Sequence, residues 1–240
     1  MLLSVDGISI DILNIEGKTP LYDAISTINI DMVNTLLVRG ANINVQDYEE
    51  STPLHFAAKF GTKEMVELLL RNDLTTINEV DMDEKTPLYY AISSNNFEMV
   101  NILIENGSNI NIQDLNGNTP LHLATSITEN DTEIIRIIEL LLSEDNLYKR
   151  QRRAGDVANV PEANKFITNI QGELPLDIAQ NTHGPNNAIA RILFDDMSGF
   201  TEPSSPPRPD DNQAGGRIKR KTKKKTKRSK RSKRSKKRSR

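Results

Sequence analysis

Three histidines are the residues best suited to chemistry near neutral pH, because imidazole can act as a general base or bind a metal ion. His55 and His122 occupy the same place in two copies of a Thr-Pro-Leu-His motif, and His183 lies in Thr-His-Gly-Pro, which predicts a turn. Two further copies of the motif have Tyr22 and Tyr89 at that place, so the place does not require imidazole. We therefore predict a structural role for His55 and His122, with no catalysis and no bound metal.

Other catalytic chemistry has little support in the composition. The chain has no cysteine, which excludes disulfides, zinc–thiolate sites and cysteine nucleophiles. Its 33 acidic residues are spread along the chain, and no phosphate-binding loop, nucleophile elbow or HExxH motif is present. We predict that the protein is not an enzyme and that it has no cofactor.

Charge is divided unevenly along the chain. Residues 217–240 contain 17 Lys or Arg and no acid, whereas residues 1–216 contain the other 14 basic residues and all 33 acidic residues. The body therefore has a formal charge of −19 and the tail +17, although the whole chain sums to −2. Such asymmetry indicates a basic tail with a role of its own.

A Thr-Pro-Leu triplet recurs along the body with nearly constant spacing. The triplets begin at Thr19, Thr52, Thr86 and Thr119, which are 33, 34 and 33 residues apart. A degenerate fifth copy, Gly-Glu-Leu-Pro-Leu, begins at Gly172. A repeat of this period is typical of stacked architectures, in which one unit cannot bury its own apolar face and packs on its neighbours.

Each repeat contains the signals for two short helices. Threonine can cap the N-terminus of the first helix, and proline suits its first turn. Gly61, or Asn95 in the third unit, can adopt a left-handed backbone between the two helices. Ile28 would be strained there, so we expect the first unit to shift this turn to Asn29. Gly40 and Gly107 can end the second helices.

The four copies GKTPLYDAI, ESTPLHFAA, EKTPLYYAI and GNTPLHLAT, each followed by a leucine-rich helix, resemble the ankyrin repeat family. The resemblance implies an all-α repeat solenoid of helix-turn-helix units with hairpin fingers, formed here by segments such as 43–47 and 110–114. It also implies that the histidine of Thr-Pro-Leu-His holds a turn by hydrogen bonds. Protein partners are expected to bind the finger tips and the exposed, concave side of the first helices.

These features divide the chain into a repeat domain, a linker and a tail. The domain covers residues 1–198 and comprises four full units, an insertion and a degenerate fifth unit, at 17–146, 147–163 and 164–198. A linker rich in Pro, Ser and Gly follows at 199–216. Residues 217–240 are predicted to be a disordered polybasic tail, because a segment of this composition cannot form a core.

The resemblance assigns partner-binding residues by position to the finger tips and the first helices. The predicted residues are Tyr48, Glu49, Ser51, Lys59, Phe60, Met82, Asp83, Lys85, Leu115, Asn116 and Asn118, with Ile15, Glu16 and Lys18 at the first tip. Tyr48, Phe60, Met82 and Leu115 stand out, because large apolar side chains at exposed positions often anchor a partner.

The basic tail has several interpretations. It fits a nuclear import signal, or an arm that binds nucleic acid through phosphates with strong salt dependence. It could instead contact the acidic body of the chain or only promote solubility. The residues assigned to an import receptor or a polyanion are Arg217, Lys219, Arg220, Lys221, Lys223, Lys224, Lys225, Lys227 and Arg228.

Location is predicted from what the sequence lacks. No apolar stretch approaches the roughly 18 residues of a membrane-spanning helix, and the N-terminal Met-Leu-Leu-Ser-Val has no basic flank typical of a signal peptide. We expect an intracellular monomer without membrane association. It is nuclear if the tail is an import signal and cytoplasmic otherwise.

Two functions agree with these features. The first is a non-catalytic scaffold that binds an unidentified protein through its repeats, with the tail for nuclear targeting or polyanion contact. The alternative is a nucleic-acid-associated protein in which the tail is the main binding element. The Asn- and Ile-rich repeats, the absence of Cys and the Lys/Arg/Ser/Thr tail are also similar to ankyrin proteins of giant amoeba-infecting DNA viruses, which implies a host-protein ligand.

Overall fold

Five pairs of short helices form the fold of the described residues. The computed structural model describes residues 9–73, 75–128, 132–143 and 163–198, which belong to one compact unit. The helices are α1 (Pro20–Ser26), α2 (Ile30–Val38), α3 (Pro53–Phe60), α4 (Lys63–Asn72), α5 (Pro87–Ser93), α6 (Phe97–Glu105), α7 (Pro120–Ser126), α8 (Thr132–Leu142), α9 (Pro175–His183) and α10 (Ala188–Ser198). A 3₁₀ turn spans Thr75–Asn78, and the described residues contain no β-strand. The predicted hairpin segments 43–47 and 110–114 form turns and irregular backbone.

Two layers of helices stack side by side. The first helices pack in the order α1, α3, α5, α7 and α9, and the second helices in the order α2, α4, α6, α8 and α10. This arrangement confirms the predicted all-α repeat solenoid for the described residues. Residues 147–162 of the predicted insertion 147–163, the linker 199–216 and the tail 217–240 lie outside the described residues, and the domain boundaries stay predictions.

The core between the layers repeats with the sequence. Leu21, Leu54, Leu88 and Leu121 follow the prolines of the first four units, and all four side chains are buried. Burying one such side chain contributes about 1.5 to 3 kcal/mol, and it does so against the adjacent units as well as its own. The core is therefore continuous from α1 to α10, because Leu193 in the last helix is buried in the same cluster.

Proline begins the first helix of every described pair, as predicted, but the preceding threonine caps this helix in only two units. The hydroxyls of Thr19 and Thr86 are buried without a hydrogen-bond partner among the described residues. The hydroxyls of Thr52 and Thr119 each lie 2.8 Å from a histidine Nδ1 instead. The predicted threonine cap is therefore wrong for α1 and α5, whereas α3 and α7 begin with a capping box that pairs Thr52 with His55 and Thr119 with His122.

The turns between paired helices depart from prediction in two units. Ile28 itself adopts the left-handed backbone, with φ of 54°, so the expected shift to Asn29 is wrong. Asn29 is already engaged, because its side chain accepts the N–H of Met32 and caps α2. Gly61 has an extended backbone with φ of −81°. A Cβ atom at Gly61 would lie 2.7 Å from the carbonyl oxygen of Ala57, so close approach requires this glycine.

The fifth unit folds as a helix pair despite its degenerate sequence. Gly184 joins α9 to α10 with φ of 86°. His183 is the last residue of α9, not part of the turn as predicted, and its Nε2 lies 3.0 Å from the carbonyl oxygen of Thr125. The fifth pair therefore packs on the fourth and extends the stack.

Candidate protein interface

The loops between repeat units are shaped by an acid or amide side chain in each loop. Asp47 Oδ1 accepts the backbone N–H groups of Glu49 and Ser51, at 3.0 and 2.9 Å. The same pair of bonds, to the residues two and four positions later, is made by Asn14, Asp81, Asp114 and Asn169. Five tips of the same shape therefore lie between or before the helix pairs.

A ladder of backbone hydrogen bonds joins each tip to the next. The N–H of Tyr48 donates to the carbonyl of Glu16 at 3.1 Å. Equivalent bonds of 3.0 Å connect Met82 to Glu49, Leu115 to Asp83, and Ile170 to Asn116. Because one bond links every neighbouring pair, the tips are held in a fixed register along the stack.

One large apolar side chain stands at the same place on every tip. We name Ile15, Tyr48, Met82, Leu115 and Ile170 the tip row; their exposed fractions range from 54% to 94%. Each lies five positions before the proline that begins the first helix of its unit. Single exposed apolar side chains are common on protein surfaces. A row of five held in fixed register is not explained by burial in the core, because all five side chains remain in water.

The other predicted tip residues differ in what they offer. Glu49, Asp83 and Asn116 are exposed. Lys85 donates a hydrogen bond to the Asp83 carboxylate at 2.8 Å, and this charged hydrogen bond raises the pKa of Lys85. Asn118 is half-buried and bonded to Asn169. Ser51 is only 4% exposed, because its backbone closes the turn and its carbonyl accepts the Tyr22 hydroxyl. Its predicted role as an exposed contact is therefore wrong.

The predicted residues on the first helices form an aromatic and cationic patch. Phe60, at the end of α3, is 47% exposed, and its ring centre lies 5.7 Å from that of Phe56. Lys59 Nζ lies 5.0 Å from the ring centre of Phe60 and 5.3 Å from that of Tyr90. An exposed cation over two rings can contribute about 0.5 to 1 kcal/mol and holds this patch in one arrangement.

The histidines act in the scaffold, as predicted. His55 Nδ1 accepts the N–H of Thr52 at 3.0 Å, which leaves the proton on Nε2, and Nε2 donates to the carbonyl of Lys85 in the next unit. His122 does the same between Thr119 and Glu173. Burial is the main cause that lowers the pKa of both histidines, since the charged form would lose hydration.

Tyrosine performs the same linking role where it replaces histidine. The Tyr22 hydroxyl lies within hydrogen-bond distance of the carbonyls of Val45 and Ser51, and the Tyr89 hydroxyl reaches those of Ile112 and Asn118. Burial raises the pKa of both hydroxyls. In each of the four cases a donor on a first helix reaches the carbonyl just before the next unit's first helix.

A polar cleft lies between the fourth and fifth units. It has a volume of about 510 Å³ and is lined mainly by amide and hydroxyl side chains, among them Asn116, Gln171, Asn181 and Thr182. These four side chains make no hydrogen bond within the described part of the chain. Among the described residues there is no group of three His, Asp or Glu placed to hold a metal ion, and no helix long and apolar enough to cross a membrane.

Comparison with known families decides what these repeats are. A family model described as ankyrin repeats, three copies, matches residues 30–114, and a second, described as ankyrin repeats, many copies, matches residues 88–142. Residues 30–142 are ankyrin repeats. Ankyrin repeats indicate a protein–protein interaction scaffold and are typically non-catalytic. Neither of the two matching family models describes a catalytic domain.

The ankyrin relatives are diverse. The chain is 32% identical over 130 residues to the probable 26S proteasome regulatory subunit p28 of Saccharomyces cerevisiae, covering 52% of the chain and 55% of that protein. It is 38% identical over 73 residues to the mouse B-cell lymphoma 3 protein homolog, and 39% over 59 residues to the putative ankyrin repeat protein FPV223 of fowlpox virus. These two matches cover 30% and 25% of the chain, and 16% and 42% of the relatives.

Sequence reasoning missed part of this surface. Ile170 belongs to the tip row, yet its unit has Leu174 where the others have threonine. Counting back four residues from Leu174, as in the other units, would have found it. The tail residues assigned to polyanion or import-receptor binding lie outside the described residues.

Proposed function

We propose that this chain is a non-catalytic scaffold that binds a protein partner through its finger tips and the exposed side of its first helices. The observation that carries the proposal is the tip row, five exposed apolar side chains at equivalent places on a hydrogen-bonded ladder. Partner binding would cover apolar surface that the fold leaves in water. Phe60 and Lys59 on α3 extend the same surface toward the helices.

Capture of the partner from cells tests this function. The tagged full chain is expressed with Tyr48→Ala and Met82→Ala together, and with Val38→Ala as a matched control, since Val38 is an exposed apolar residue at the end of α2. Proteins that co-purify are quantified by mass spectrometry. We expect the main partner to be lost with the tip variant and kept with the control. Equal recovery in all three would contradict the proposal.

The tail gives the second candidate function its support. With 17 basic residues and no acid in 24 positions, residues 217–240 have the composition of an arm that binds nucleic acid or an import receptor. We propose nuclear targeting or polyanion contact as its role in the scaffold. If the protein is instead mainly a nucleic-acid binder, removing 217–240 abolishes its principal interaction, and that interaction weakens steeply between low and physiological salt.

A viral origin is also proposed. The fowlpox ankyrin repeat protein among the relatives supports a virus as the source, while none of the three matches described above points to giant amoeba-infecting viruses in particular. In that case the partner is a host protein. Recovery of the same partner from amoeba and from vertebrate cell lysates would weaken the specific link to an amoebal host.

A further inference from the structure

The tip row is flanked by acidic side chains over the first three tips. The residue after the apolar one is Glu16, Glu49 or Asp83, and the residue after that is Glu50 or Glu84 on the second and third tips. Lys18 and Lys85 are the tip lysines, and they form ion pairs with Glu16 and Asp83. Within the described residues, the carboxylates of Glu49, Glu50 and Glu84 have no ion pair. The charge of Glu16 is balanced by Lys18, so the second and third tips present the net negative charge beside their apolar side chains.

The fourth and fifth tips have no carboxylate at the two positions directly after the apolar residue. The fourth tip has Asn116, Gly117 and Asn118, and the fifth has Gln171, Gly172 and Glu173. Glu50 and Glu84 occupy the same place as Gly117 and Gly172, and they adopt the same positive φ, 59° and 58°. Glycine adopts that conformation without strain, whereas glutamate does not. The second and third tips thus keep a carboxylate where the fold favours glycine.

The ladder sets the spacing of any occupant. Neighbouring Cα atoms are about 3.8 Å apart and hydrogen-bonded backbones about 4.8 Å apart, so successive tips lie roughly 9 Å from one another. An extended chain advances about 3.1 to 3.4 Å per residue, so about three residues span one step. A segment of about thirteen residues therefore covers the row with one side chain for each of the five tips.

The chain's own tail is a poor occupant. It has the right charge, but Ile218 is the single apolar residue in 217–240. It cannot cover five large apolar side chains, whose burial is the favourable term that the surface offers. The row needs an occupant with both basic and apolar side chains.

We propose that the tip row binds an extended segment of a partner protein, with an apolar side chain about every third residue and Lys or Arg between them over the second and third tips. This inference rests on the proposed scaffold function and adds the chemistry of the partner. The apolar side chains would contact the tip row, while the basic ones would lie beside Glu49, Glu50 and Glu84. The unpaired carboxylates lie on the second and third tips, so the basic residues of the segment would lie over those two tips.

Synthetic peptides and the full-length chain test the proposal. The probe is a fluorescent peptide of five Leu-Lys-Ser repeats, compared with five Leu-Gln-Ser repeats and five Ser-Lys-Ser repeats, and binding is measured by anisotropy at physiological salt. We expect binding of the first peptide at least tenfold tighter than of either control, because each control lacks one of the two contacts.

Matched variants place the binding on the molecule. Glu50→Gln with Glu84→Gln should weaken binding of the Leu-Lys-Ser peptide about 3- to 10-fold. Glu98→Gln with Glu139→Gln makes the same change of charge on exposed positions of the second helices and should leave it unchanged. Equal effects of the two double variants, or equal binding of all three peptides, would overturn the proposal.

Two further outcomes separate this inference from its alternatives. Binding that appears only after the Lys and Arg of 217–240 are replaced by Gln would assign the row to the tail, and overturn the partner proposed here. If the cellular partner is lost with the tip variant while no Leu-Lys-Ser binding is found, the inference fails and the scaffold function stands.

Discussion

Replacing Glu50 and Glu84 with glycine should stabilise the fold while removing charge from the tips. Both residues have positive φ, a conformation that costs a non-glycine residue about 1 to 2 kcal/mol. Glycine in turn loses about 0.5 to 1 kcal/mol through the greater freedom of its unfolded chain. Neither glutamate side chain forms a hydrogen bond or ion pair within the described residues, so no contact is lost. The net expectation is about 0.5 to 1 kcal/mol per site, or about 1 to 2 kcal/mol for both.

Urea unfolding of the full-length chain, followed by circular dichroism at the helical band, measures this change. Glu50→Gln with Glu84→Gln is the matched control, because it removes the same charges and keeps a side chain at positive φ. We expect a higher urea midpoint for the double glycine variant than for the unmodified chain, and no such increase for the double glutamine variant. Equal stability of the glycine pair and the unmodified chain, or an equal gain with glutamine, would refute the strain argument.

Three other predictions follow from the scaffold. Leu88→Ala removes a fully buried side chain at the centre of the stack and should lower the free energy of unfolding by about 2 to 5 kcal/mol, measured by urea unfolding against Val38→Ala. Gly61→Ala should lower the free energy of unfolding by about 1 to 3 kcal/mol in the same assay, because the new Cβ would lie against the carbonyl oxygen of Ala57. Gly40→Ala is the control: its Cβ would contact no atom, so it should lower the free energy of unfolding only by the roughly 1 kcal/mol that a positive φ costs alanine. His55 and His122 should make stability depend on pH, because the pKa of each is lower in the folded state than in the unfolded state. Their contribution to the free energy of unfolding is complete above the unfolded pKa of about 6.5. Below that pH it decreases by up to about 1.4 kcal/mol per pH unit for each histidine. Tyrosine at both positions, the residue used by the other two units, should flatten this dependence, and an unchanged pH profile would show that the histidines are not its source.

The repeat architecture followed from the sequence because its signals are local and recur. In the first four units the helix-starting proline is preceded by extended backbone and followed by a buried leucine, so one motif predicts a helix start and a core position four times. Ile28 could not be predicted in this way. Its turn is fixed by the N–H groups of Ile28 and Asn29, which bond to the carbonyls of Ile25 and Ala24, and by Asn29 acting as the cap of α2. These contacts override the backbone preference of isoleucine.

The candidate interface was only partly accessible from sequence. Position within the repeat predicts exposure for Tyr48, Met82 and Leu115, because the tips recur with the same turn. Exposure was predicted wrongly for Ser51, because the register of a single turn decides which side chain is covered. The ladder of backbone bonds between tips involves residues 32 to 54 positions apart and has no sequence signature. It turns separate exposed residues into one row.

Hydrogen exchange of the full-length chain with its captured partner tests the central claim most directly, since each tip has its own backbone N–H groups. The account predicts slower exchange on binding at the tips around Tyr48, Met82 and Leu115, with the second helices α2, α4, α6 and α8 unchanged. Protection confined to those second helices, or to residues 217–240, would contradict it.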